Sequence, residues 1–279
     1  MLDEGLPGQE LPTPAVRAAG APPLRWPALR AIVRARQPLL SAPQPGRSNP
    51  GSAGLCGVCL GPASRGSTRC FQCELHWQCA SGGVADLVVP IAFAIKDGPH
   101  AGLLWQYKSA RPPAAVAESA AAILRAMLLV FLRDHGACLW RAAGTAGPTH
   151  VAVVPTARGR QGTHPLRALV AGYLDRPWAA LAARQAGEHV RDLDPERFSA
   201  APVPGARVLL IDDTWTTGSS AQSAAMALRA AGATSVVTLV LGRHVSVAAA
   251  GQAGLGPDRA PFRMDRCAVH PAHAVGARS

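Results

Sequence analysis

The most informative stretch of the sequence runs from residue 208 to 220 and reads VLLIDDTWTTGSS. It opens with four consecutive apolar residues, a pattern typical of a strand that is buried on both faces. Two adjacent acids, Asp212 and Asp213, follow directly. Ligands of parallel α/β sheets bind at the carboxyl ends of the strands, so the position of these acids predicts a binding role. Vicinal sugar hydroxyls or a divalent cation would both be suitable partners for paired carboxylates.

Small hydroxyl residues around a glycine come next, just before a predicted helix from Ser219 to Ala231. The first backbone N–H groups of a helix have no partner within the helix, and its macrodipole favours an anion there. A glycine lets the backbone approach a phosphate closely. The predicted phosphate loop consists of Thr214, Thr216, Thr217, Gly218 and Ser219. The alternative is an ordinary turn between strand and helix, closed by an N-cap.

The whole stretch resembles the motif of type I phosphoribosyltransferases that binds 5-phosphoribosyl 1-pyrophosphate (PRPP). The resemblance implies that Asp212 and Asp213 hold the ribose hydroxyls and are the candidates for catalytic assistance. It also implies that the phosphate loop holds the 5-phosphate of PRPP, or of another sugar phosphate, and that Mg²⁺ accompanies it. Trp215 departs from the smaller residue usual in the family, and we expect it either to alter access to the site or to pack outward.

The resemblance to the ComF/GntX family extends further, from about Leu55 to His244. It rests on two cysteine pairs, on the sequence WQYK at 105–108 and on the sequence VVP at 153–155. It implies that the loop after the second motif contacts the pyrophosphate, through Pro155, Thr156, Ala157 and Arg158. The family's next element is absent here, because residues 161–164 read QGTH. A solvated loop is the alternative interpretation of Arg158.

Five of the seven cysteines fall between residues 56 and 79, which indicates a metal site in a chain without an export signal. Two Cys-x-x-Cys pairs supply four thiolates, the tetrahedral ligand set that suits structural Zn²⁺. The predicted ligands are Cys56, Cys59, Cys70 and Cys73. A redox dithiol pair or an iron–sulfur cluster is the alternative, and His76 and Cys79 are second choices as ligands. Cys138 and Cys267 are interpreted as lone thiols.

The predicted fold class is α/β, a type I phosphoribosyltransferase-like parallel sheet with helices on both faces. A four-cysteine zinc segment and a β-hairpin hood, made of strands 86–95 and 102–107, complete it. We expect residues 1–54 to be a largely disordered extension, with a possible short helix from Pro27 to Leu40. Residues 55–82 form the zinc segment, 83–244 the phosphoribosyltransferase-like domain and 245–279 a flexible basic tail. The polar segment 184–205 is predicted as a mobile loop.

The formal charge of +11 is compatible with a polyanionic partner, although only two lysines among many arginines also fit a codon bias. Charged residues interrupt the longest apolar run, and the N-terminus lacks the pattern of a secretory signal, so we expect a cytoplasmic protein without a membrane span. Two functions follow. The first is Mg²⁺-dependent transfer of a phosphoribosyl group to a nitrogen acceptor. The second, implied by the ComF resemblance, is a competence protein for DNA uptake that binds single-stranded DNA, with the PRPP site as a sensor or relic.

Overall fold

A four-stranded parallel sheet lies at the centre of the computed structural model, which describes residues 25–44, 54–64, 66–80, 82–156, 164–184 and 191–269. The strands of the sheet follow the order β1-β6-β5-β2. Their bounds are Leu87–Ile95 for β1, His150–Val153 for β2, Arg207–Trp215 for β5 and Ser235–Val245 for β6. A separate antiparallel pair is formed by β3 (Leu181–Ala183) and β4 (Phe198–Ala200).

Seven α-helices accompany these strands in the described ranges. They are α1 (Trp26–Arg36), α2 (Phe71–Cys79), α3 (Pro99–Gln106), α4 (Ala114–Ala142), α5 (Pro165–Val170), α6 (Ser219–Ala230) and α7 (Val247–Ala253). Alternate residues of each strand point to opposite faces of a sheet, and here both sets are apolar and buried. Leu209 and Ile211 of β5 pack with α4 on one face, whereas Val208 and Leu210 pack with α6 on the other. The predicted parallel α/β architecture is confirmed.

Helix α4 has the length and apolar composition of a membrane span, but 56% of its most apolar window is buried inside the protein. Leu124, Leu128 and Leu132 lie on its inner face, fully enclosed by the core. The helix continues through Gly136 to Ala142, because Leu139 and Trp140 extend the buried face by another turn. It is the central core helix of the sheet.

The predicted β-hairpin hood is wrong. Residues 99–106 form helix α3, and β1 pairs in parallel with β6. Pro99 stands in the first turn of α3, where its missing N–H and fixed φ are favourable. The apolar run after it is too short to distinguish a strand from a buried helix by pattern alone. Helix α3 then packs its Leu103 and Leu104 beside the sheet.

The segment before the cysteines contains a packed element. Helix α1 lies against α4, where Arg30 Nη2 donates to Asp134 Oδ1 over 2.6 Å. The guanidinium of Arg133 stacks over the ring of Trp26, 4.4 Å from its centroid. The short helix expected near 27–40 is therefore present, and residues 25–44 belong to the folded body. Residues 1–24 and 45–53, the rest of the expected extension, lie outside the described residues.

Most of the tail predicted to be flexible, 245–279, is packed against the domain, so that prediction is corrected. We call residues 246–269 the C-terminal segment; it begins with α7 and ends against α4. Leu255, Phe262 and Cys267 are buried although they show no helix or strand period, which is why the sequence pattern missed them. A backbone bond from Phe262 N–H to the Leu40 carbonyl, at 3.1 Å, joins this segment to the chain after α1.

Phe262→Ala tests whether this segment contributes to the core. Phe262 is 6% exposed, so its truncation removes apolar contacts and leaves a cavity. We expect the free energy of unfolding to fall by about 3 kcal/mol, measured by chemical denaturation. Val247→Ala is the control, because Val247 is 59% exposed and should cost under about 0.5 kcal/mol. Equal effects of the two variants would contradict the packed arrangement.

Candidate functional site

The acidic pair lies on β5, which extends to Trp215 and so carries both acids within the strand. On one side, Asp212 is in register with Val240 of β6. On the other, Val154 N–H donates to the carbonyl of Ile211 at 3.0 Å, so the end of β2 lies beside the acids. The Asp213 backbone N–H donates to Asp212 Oδ1 at 2.9 Å. The pair thus stands at the carboxyl edge of the sheet, where the sequence pattern predicts it.

Asp213 is bound by two side chains from the chain that follows α3. The Tyr107 hydroxyl donates to Asp213 Oδ2, and Lys108 Nζ lies 3.0 Å from both carboxylate oxygens. The Asp213 side chain is 14% exposed and that of Lys108 is 37% exposed. The ion pair compensates the charge of one acid of the adjacent pair. The sequence pattern gives no sign of this pairing between Lys108 and Asp213, which are 105 positions apart.

Asp212 is a half-buried acid with a strongly perturbed pKa. Burial first, and then the charge of Asp213, raise the pKa of Asp212 to about 7, while the Lys108 charge opposes both effects. Near neutral pH the Asp212 carboxyl is therefore poised between its two protonation states. A divalent cation or a set of hydroxyl donors would favour the ionised form.

Asp212→Asn should make the protein more stable at high pH. A raised folded-state pKa means that the folded state holds its proton more tightly than the unfolded state, so stability falls as pH rises from about 4 to 7. Chemical denaturation gives the free energy of unfolding of the variant and of the native protein at pH 5 and at pH 8. We expect the difference, variant minus native, to be larger at pH 8 by about 1 kcal/mol or more. Asp258→Asn, at an exposed site, is the control. An equal stability difference at the two pH values would contradict a raised pKa of Asp212.

The phosphate loop turns on Gly218, which has a φ of +84° and precedes α6. A Cβ at this residue would overlap the ring of Trp215, which is buried beneath the loop. The expectation that Trp215 packs outward is therefore wrong; its ring supports the loop from inside. Ser219 N–H lies 3.4 Å from Thr217 Oγ1, and the two hydroxyls are 3.1 Å apart. The loop gathers hydroxyl and amide donors at the start of the helix.

An arginine that sequence reasoning did not single out also reaches this helix start. Arg197 Nη1 lies 3.3 Å from Ser220 Oγ and 3.5 Å from Ser219 Oγ. Its Nη2 donates to the Asp192 carbonyl at 2.6 Å. Within the segment 184–205, predicted as a mobile loop, residues 198–200 form β4, which pairs antiparallel with β3, and Asp194 N–H donates to Ser223 Oγ at 2.9 Å. Residues 185–190 lie outside the described residues.

The loop after β2 contributes two of its four predicted residues to the described structure. Pro155 and Thr156 follow Val154 at the same sheet edge as the acids. Ala157 and Arg158 lie outside the described residues, so their pyrophosphate contacts remain predictions. The described start of this loop therefore borders the acidic pair on the β2 side.

The four predicted zinc ligands meet in one buried cluster, which we call the four-cysteine cluster, with all their ligand atoms within 4.8 Å of one another. Cys59 Sγ and Cys70 Sγ are 3.8 Å apart. Hydrogen bonds from the other three thiols, that of Cys59 above all, lower the pKa of Cys56. This donor set fits a tetrahedral Zn²⁺ with no open position, which would give the metal a structural role. His76 and Cys79 are not members of the cluster in the described residues.

Arg243 of β6 connects the predicted zinc ligands to the phosphate loop. Its Nε lies 3.3 Å from Cys59 Sγ, and its Nη1 donates to the carbonyls of Trp215 and Thr216 at 3.1 and 3.0 Å. The side chain is buried. Gly61 makes room for it, since a Cβ there would lie 2.6 Å from Arg243 Nε. Four thiolates around Zn²⁺ would carry a net negative charge, which this guanidinium partly offsets.

A cavity of about 150 Å³ lies between α2, the start of β1 and the first turn of α6. Its walls include His76, Trp77 and Gln222. Burial lowers the pKa of His76, so the ring is neutral at physiological pH. The Gln222 side chain accepts from Ala85 N–H at 2.9 Å and closes the cavity toward α6.

Comparison with known proteins shows a weak similarity to solved structures. No family model and no curated protein matches the sequence. Orotate phosphoribosyltransferase of Mycobacterium tuberculosis H37Rv, in complex with inorganic phosphate, is 21% identical over 48% of this chain and 74% of that one, at a TM-score of 0.28. The structure of that enzyme with 5-phospho-α-D-ribosyl 1-diphosphate is 20% identical over 55% and 93%, also at 0.28. Likeness at this TM-score supports no function by itself.

Proposed function

We propose that the protein binds PRPP together with Mg²⁺ and transfers its 5-phosphoribosyl group to a nitrogen acceptor. The observation that carries the proposal is the arrangement of β5 and α6. Two carboxylates lie at the end of a central parallel strand. Within the same loop they are followed by Gly218, which has a positive φ, and by the first turn of α6. A sugar phosphate has matching chemistry, with hydroxyl donors at one end and an anion at the other.

Each part of the site takes one part of the ligand in this proposal. Asp212 and Asp213 accept hydrogen bonds from the ribose hydroxyls. Thr217, Gly218 and Ser219 hold the 5-phosphate through amide and hydroxyl donors, with Arg197 adding positive charge beside α6. Pro155 and Thr156 border the pyrophosphate, and the resemblance assigns Ala157 and Arg158 to the same group. These residues position the ligand, and a reaction with a dissociative transition state depends mainly on positioning.

The proposed reaction balances without any further reactant. The acceptor nitrogen forms a bond to the anomeric carbon of ribose as the bond from that carbon to the pyrophosphate oxygen breaks. The nitrogen loses its proton, and pyrophosphate leaves with the electron pair. Asp212, whose pKa is raised by burial, is the proposed acceptor of that proton. The carboxylate donor set fits Mg²⁺, which when bound neutralises the charge of the leaving group.

Calorimetric titration with PRPP and Mg²⁺ tests the binding step. We expect saturable heat with PRPP and weaker binding of ribose 5-phosphate, which lacks the pyrophosphate. The transfer step is tested by incubation with PRPP and a panel of nucleobases and amines, followed by mass spectrometry for a phosphoribosylated product. Absence of PRPP binding at millimolar concentration would overturn the proposal, whereas binding without any product would leave a PRPP sensor.

Binding of single-stranded DNA, the second predicted function, rests on the charge of +11 and on the ComF resemblance. The same protein titrated with a labelled oligonucleotide over a range of salt concentrations tests it. A partner that contacts phosphates must bind more weakly as salt rises, because counterions are released on binding. We expect a steep dependence if this function holds, and no binding at low salt would exclude it. A cytoplasmic location and a role in competence remain predictions.

A further inference from the structure

We propose that His135, Cys138 and Cys267 form a second zinc site, which fastens the C-terminal segment to α4. The three side chains are buried, and their ligand atoms lie within 4.8 Å of one another. None of them belongs to the site of the proposed function or to the four-cysteine cluster. The inference rests on this group of side chains alone and does not depend on PRPP binding.

The positions of the cysteines in the chain support this second metal site. The chain has seven cysteines, and five of them lie in the segment between residues 56 and 79. The remaining two, Cys138 and Cys267, are separated by 129 positions and yet meet at one buried point, beside a histidine. His135 and Cys138 stand three residues apart on α4, which places them on the same face of the helix.

The imidazole of His135 makes a hydrogen bond of the kind that metal-ligating histidines make. His135 Nε2 lies 2.9 Å from the carbonyl oxygen of Met264. A carbonyl only accepts, so Nε2 carries the proton and Nδ1 has the lone pair that binds a metal. Ligand histidines commonly donate their second nitrogen to a backbone carbonyl in this way, which fixes both tautomer and ring orientation.

The charge of the site selects the ion. Two thiolates and a neutral imidazole carry two negative charges, which Zn²⁺ neutralises, while a monovalent ion such as Cu⁺ would leave a net charge in the core. Binding releases the two thiol protons to solvent. Three protein ligands leave a fourth position of the tetrahedron for water. The metal would stabilise a part of the C-terminal segment, residues 254–269, that forms neither a helix nor a strand.

Metal content of the full-length protein, purified without chelator, tests the proposal. We expect two equivalents of zinc in the native protein and one in the variant with Cys138→Ser and Cys267→Ser. Cys79→Ser is the matched control, because Cys79 is exposed and outside both groups of ligands, and it should keep two equivalents. His135→Gln keeps both thiols and should weaken binding of the second equivalent at least about 10-fold.

Thiol counting under denaturing conditions separates the alternatives. Zinc-loaded native protein should yield seven reactive thiols once denatured in chelator. A count of five, with a Cys138–Cys267 disulfide found by mass spectrometry, would overturn the proposal. It would be overturned equally by a native protein that holds a single equivalent, or by loss of neither equivalent in the two-cysteine variant. If that variant does not fold, the His135→Gln titration decides.

Discussion

Replacing both acids, Asp212→Asn with Asp213→Asn, should reduce PRPP affinity at least about 100-fold while inorganic phosphate still binds at the phosphate loop. The two carboxylates are the acceptors for ribose hydroxyls and the ligands for Mg²⁺, and charge-assisted bonds of this kind contribute about 1.5–3 kcal/mol each. Asparagine keeps the shape of both side chains. Isothermal calorimetry with PRPP plus Mg²⁺, and separately with phosphate, measures the two effects.

The complementary variant is Gly218→Val, which should abolish the binding of both PRPP and inorganic phosphate. A Cβ at Gly218 would overlap the Trp215 ring, and a β-branched residue cannot readily adopt the φ of +84°. Loss of phosphate binding in the double asparagine variant, or retention of PRPP binding close to the native affinity, would contradict the division of the site into a sugar end and a phosphate end.

Removal of zinc from the four-cysteine cluster should both destabilise the protein and weaken ligand binding. Cys70→Ser leaves three thiolates around the metal, and a structural zinc site contributes its binding energy to folding. We expect the melting temperature to fall by about 10 °C or more. Phosphate affinity should fall about 10-fold, because loss of the metal releases Cys59 from its fixed position, so Arg243, which contacts Cys59 Sγ, no longer fixes the Trp215 and Thr216 carbonyls.

Two further variants distinguish this coupling from general unfolding. Arg243→Met should retain zinc in the four-cysteine cluster yet lower phosphate affinity by a similar factor, measured below its melting temperature. Cys79→Ser should change neither zinc content nor affinity. A chelated but folded protein that binds phosphate as tightly as the zinc-loaded form would show that the cysteine cluster and the loop are independent.

The parts of this molecule that the sequence predicts well are local in the chain. The cysteine pairs are read from spacing within 18 residues, from Cys56 to Cys73. The strand, loop and helix around Gly218 are likewise encoded by consecutive residues, and α6 begins at Ser219 as predicted. Where a short apolar run has no clear period, as at 102–107, the tertiary environment decides, and the predicted strand proved to be helix α3.

The parts that sequence reasoning missed are contacts between distant residues. Lys108 and Asp213 are 105 positions apart, and Arg243 and Cys59 are 184 apart. Neither pairing leaves a periodic signal, and both depend on the order of strands in the sheet. The meeting of a cysteine on α4 with one near the end of the described chain is of the same kind. The burial of the C-terminal segment could not be predicted from the sequence either, because irregular segments pack without a repeating apolar pattern.

The contacts of Asp213 have one more consequence, which concerns competition within the molecule. Tyr107 and Lys108 both bind this carboxylate. An incoming sugar must therefore exchange partners with a tethered phenol and ammonium group, and part of its intrinsic affinity is spent on that exchange. Tyr107 and Lys108 thus compete with the sugar for Asp213, so a chain with Tyr107→Phe and Lys108→Met should bind a neutral polyol more tightly than the native chain does.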